Sequence, residues 1–148
     1  MILIATITGC SSVKQKLNDL QIEEMKVYAD IQEMGYTSRG AYTHFDDLEK
    51  QSTRKVEISF NDLKKIEHVM KSAKQLKHIQ RKLSGGLIFC EIKYKAVENI
   101  SKLVISVGRE SVGIMDLTNQ RDFVVRNQED IKLLKEIKNE IQRLINRD

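Results

Sequence analysis

The chain has 148 residues, 41% of them hydrophobic and 31% charged, and a net charge of +4 at pH 7. It is long enough to bury a core without a disulfide or a metal, and too apolar to remain disordered. Two cysteines and no proline, where average usage gives about seven, exclude a disulfide scaffold, a cysteine-rich zinc site and a Pro-rich linker, and predict a single globular domain over 1–148.

Residues 2–8 (ILIATIT) are a short apolar run, and 11–21 place Val13, Leu17 and Leu20 at helical spacing behind a capping serine. They predict an N-terminal strand that turns at Gly9 into a helix. Such a turn offers free backbone N–H groups to an anion, although the Gly-Lys-Ser/Thr of a P-loop is missing. Residues 25–34 (MKVYADIQEM) alternate like a strand with one wet face. Residues 35–42 (GYTSRGAY) predict a turn or exposed loop, with Tyr36, Arg39 and Tyr42 as contact candidates because Tyr and Arg are favoured at interaction hot spots. AYTHF (41–45) reads as a weak strand and DDLEKQST (46–53) as an acidic loop.

The second part is clearer. RKVEISF (54–60) alternates with Val56, Ile58 and Phe60 on one face. Asn61 then opens a helix to residue 83, its stripe formed by Leu63, Ile66, Val69, Met70, Ala73, Leu76, Ile79 and Leu83. Ser84-Gly85-Gly86 stops it. Residues 87–94, 100–108, 112–117 and 122–125 are successive short strands, a meander. Asn127 caps a closing helix to residue 146, with Ile131, Leu134, Ile137 and Ile141 along one side. Strands grouped together predict an α+β fold. It is an antiparallel meander sheet with two amphipathic helices, 61–83 and 127–146, on one face, plus the N-terminal strand and helix.

Ile7-Thr8-Gly9-Cys10, followed by two serines, resembles the lipobox of bacterial lipoproteins. The resemblance covers these four positions. It implies cleavage before Cys10, lipidation of its sulfur and anchoring of the mature chain, with 1–9 as the end of a signal segment. No Lys or Arg precedes Cys10, and the apolar stretch is eight residues with two Thr, a pattern that equally suits the buried strand. One reading places the protein in the cell envelope and the other in the cytoplasm. No run of apolar residues is long enough for a membrane-spanning helix, so a membrane is reached only through a lipid on Cys10.

The charge is concentrated. Residues 61–83 hold seven Lys or Arg against Asp62 and Glu67, leaving the rest of the chain near −1. Lys64, Lys71, Lys74, His78 and Lys82 form a row opposite the apolar stripe, a candidate surface for nucleic acid, another polyanion or an acidic partner. No Tyr or Phe falls within 61–83 to stack on bases. His44 near Asp46 and Asp47 combines imidazole and carboxylate, a pair suited to metal binding or proton transfer, but no metal-ligand spacing accompanies it. Cys90 falls on the apolar side of its strand as a buried thiol.

No catalytic, cofactor or metal motif is recognisable, and no catalytic residue is assigned. The sequence predicts a small non-catalytic binding module with a protein partner, of inhibitor, immunity or accessory type, tethered if Cys10 is lipidated. The alternative is a cytosolic protein that binds nucleic acid or another polyanion through 61–83. An enzyme built on His44 requires a concave pocket there.

Overall fold

The computed structural model describes residues 21–33, 36–77, 82–83 and 85–147. The strand and helix expected over 2–20, and Cys10 with them, lie outside the described residues. In chain order the elements are β1 (Ile22–Tyr28), β2 (Tyr36–Thr37), α1 (Ser38–Lys50), β3 (Lys55–Glu57), α2 (Phe60–Lys71), β4 (Lys74–Gln75), β5 (Lys82–Leu83), β6 (Gly86–Tyr94), β7 (Ile100–Val107), β8 (Val112–Asp116), β9 (Arg121–Val125) and α3 (Gln128–Asn146). Seven strands form one antiparallel sheet in the order β3-β1-β6-β7-β8-β9-β4, and β2 pairs with β5 beside it.

The expected α+β architecture with an antiparallel meander is present, and two helices do share one face of the sheet. Along β6 the alternation sends Ile88, Cys90, Ile92 and Tyr94 into the core shared with α2 and α3, while Leu87 and Phe89 enter a second core. Cys90 is fully buried, and burial, assisted by Glu91, pushes its thiol well above the ordinary range. In β1 a register shift between Ile22 and Glu24 inserts one residue. Ile22, Met25 and Val27 thereby reach the same core despite the odd spacing.

The second core corrects the sequence reading. Residues 35–53 were expected as turn, weak strand and acidic loop, but they contain α1, a three-turn helix on the opposite sheet face. Thr37 caps it by accepting a hydrogen bond from Gly40 N at 3.0 Å. Ala41, Phe45 and Leu48 supply its buried stripe at spacings of four and three. Burial of that stripe on Leu87, Phe89 and Val104 outweighs the Ser-Arg-Gly turn signal.

The long basic helix is also corrected. α2 covers 60–71 rather than 61–83, and its cap is Ser59, not Asn61. Leu63, Ile66, Val69 and Met70 are buried as expected. The Ser72 hydroxyl lies within hydrogen-bond distance of Val69 O (2.8 Å) and of Asp130 Oδ2 (2.7 Å), tying the helix end to α3. The chain then leaves as β4, which pairs Lys74 with Val124 and Gln75 with Phe123, and Leu76 N donates to Asp122 O. Backbone bonds to the open edge of β9 replace those of the helix. Phe60, expected on the buried face of a strand, starts α2 with 72% of its surface exposed.

Gly85 sets the entry into β6. Its φ of +93° is open to glycine, and a Cβ there would sit 2.5 Å from Val107 O. Asn127 caps α3 as expected, accepting from Glu129 N and Asp130 N.

Candidate functional site

The basic row does not form one helical face. Lys64 and Lys71 lie on α2, Lys74 lies on β4 at the sheet edge, and Lys82 lies on β5; His78 is outside the described residues. On α2 each lysine has a carboxylate within 4.0 Å. Glu67, itself buried, stands 3.5 Å from Lys64 and 4.0 Å from Lys71, and Lys65 pairs with Asp62 at 3.5 Å. His68 lies 3.7 Å from Asp130. The break at Ser72 separates the remaining cations from this cluster.

The three aromatic and arginine contact candidates are not on a loop. Tyr36 belongs to β2, whereas Arg39 and Tyr42 share the solvent face of α1, one helical turn apart. His44 is on the same helix and does not pair with Asp46 or Asp47. Its Nε2 lies 2.6 Å from Asp30 Oδ2, and Gln32 Nε2 donates to Asp30 Oδ1 at 2.5 Å. The bend after β1, where Asp30 N donates to Tyr28 O, turns that carboxylate toward α1. The His44 ring packs 4.8 Å from Phe89, and a concavity of about 510 Å3 beside it is lined by Thr37, Arg39, Thr43 and Asp47. Of its hydroxyls, Thr37 caps α1 and Thr43 donates to Arg39 O. No group of three His, Cys, Asp or Glu suited to a metal exists among the described residues.

On the other side of α1 lies a groove of about 380 Å3. Tyr42 and Asp46 form its helical wall, and Ile100, Lys102 and Leu117 its sheet wall. Its floor is Phe45, with the Lys102 ammonium 5.4 Å from the ring centre. Tyr42 is held in place by donating its hydroxyl to Leu117 O at 3.2 Å. Burial, with Asp122 and Asp116 nearby, raises its pKa, so the phenol remains a donor. Lys102 is fixed by Glu49 at 2.5 Å, while Asp46 and Asp47 pair with no cation among the described residues. Three large apolar side chains among the described residues are exposed: Tyr42 (40%), Ile100 (52%) and Phe60. Two of the three flank this groove.

Tyr42 was named from sequence on composition alone. Ile100 and the Asp30–His44 pair were not. The helical spacing of Ala41, Phe45 and Leu48 was the available signal for α1, since it places Tyr42 outward. Nothing local brings Ile100 to the groove that Tyr42 lines, because strand order in the sheet does so. No family model, curated protein or solved structure matches this chain.

Proposed function

We propose that this protein is a non-catalytic protein-binding module that uses the groove between α1 and the Ile100 end of β7. The observation that supports it is the convergence of Tyr42 and Ile100 on one concavity. Isolated exposed apolar residues are ordinary, but a cluster in a groove with a polar rim suits a partner's apolar side chain. Asp46 supplies a carboxylate at the rim, which favours a partner with a basic group beside its apolar contact. Cys10 supplies a membrane tether in this reading.

Site-specific photocrosslinking tests it. A benzophenone amino acid at position 42 is expected to give one discrete adduct in the native cell, with its partner identified by mass spectrometry. Adding Ile100→Asp should abolish the adduct. No adduct from position 42, or the same adduct from Glu136 on the outer face of α3, overturns the proposal. The tether is tested by intact mass: a chain starting at Cys10 and carrying acyl mass supports it, and an unmodified chain starting at Met1 removes it.

A further inference from the structure

We draw no further inference here: the strongest candidate, the concavity on α1 beside the Asp30–His44 pair, is lined by Arg39 and Asp47 with opposite charges and by threonines already engaged within the helix, and nothing in the structure shows what it would bind.

Discussion

Glu67 Oε2 accepts a hydrogen bond from the backbone N–H of Ile22 at 2.9 Å, from the middle of α2 to the first residue of β1. The carboxylate is buried and also lies within 4.0 Å of two lysines. Glu67→Leu should leave the Ile22 amide without a partner in a buried setting and cost about 1–3 kcal/mol. Chemical denaturation at neutral pH measures this. An unchanged midpoint would mean that water satisfies Ile22 without the carboxylate.

The same pairing bears on nucleic acid. Lys64 and Lys71 are opposed by Glu67 and Lys65 by Asp62, and Lys74 sits on a separate strand. A random-sequence single-stranded oligonucleotide is therefore expected to show no anisotropy change even at about 50 mM salt, where phosphate contacts are strongest. Binding that weakens with salt and disappears in the double variant Lys71→Glu with Lys74→Glu would instead support a polyanion site.

Gly85 is a second point of tension. Its positive φ and the nearby Val107 carbonyl leave no room for a Cβ. Gly85→Ala should cost about 1–3 kcal/mol through backbone strain and local displacement. Thermal unfolding reads the loss. A neutral result would show that the turn into β6 relaxes freely.

The tyrosines predict a response to alkali. Burial raises the pKa values of Tyr28, Tyr42 and Tyr94 above the ordinary value of 10, with Glu91 adding to the shift at Tyr28. Folding thus favours the neutral phenols. Their contribution is fully present below pH 10 and is lost as pH rises through the higher folded values. Ultraviolet titration should show phenolate appearing later in the folded chain than in the unfolded one, with stability falling above about pH 10. Coincident titration curves would contradict this.

Tyr94 adds a sharper case. Its buried hydroxyl has no hydrogen-bond partner among the described residues. Removing an unsatisfied polar atom relieves its desolvation cost, so Tyr94→Phe should be neutral or more stable by about 1 kcal/mol. A clear loss of stability would reveal a partner for the hydroxyl.

Local pattern was sufficient where one neighbour decides the outcome. The meander strands, the inward side of Cys90, the Asn127 cap and the buried stripes of α2 and α3 follow from alternation, helical spacing and capping chemistry. Each depends on residues a few positions apart. The length of α2 did not follow. Leu76, Ile79 and Leu83 continue a helical spacing, yet Ser72 binds Asp130 and the chain pairs with β9, partners about fifty residues away. α1 was hidden by turn-forming residues, and it forms because the second face of the sheet needs cover.

The candidate site divides the same way. Tyr42 and Arg39 were visible as residue types suited to contact. Only the tertiary structure aligned them on one helix face, set Tyr42 opposite Ile100 and left Phe60 exposed. It also gave His44 to Asp30 instead of its nearer neighbours. Sequence alone determined the apolar faces of the meander strands, of α3 and of the start of α2, since those are local periodicities. Which apolar and charged groups remain exposed was decided by strand order and by helices on both sides of the sheet, because surface is what packing leaves over.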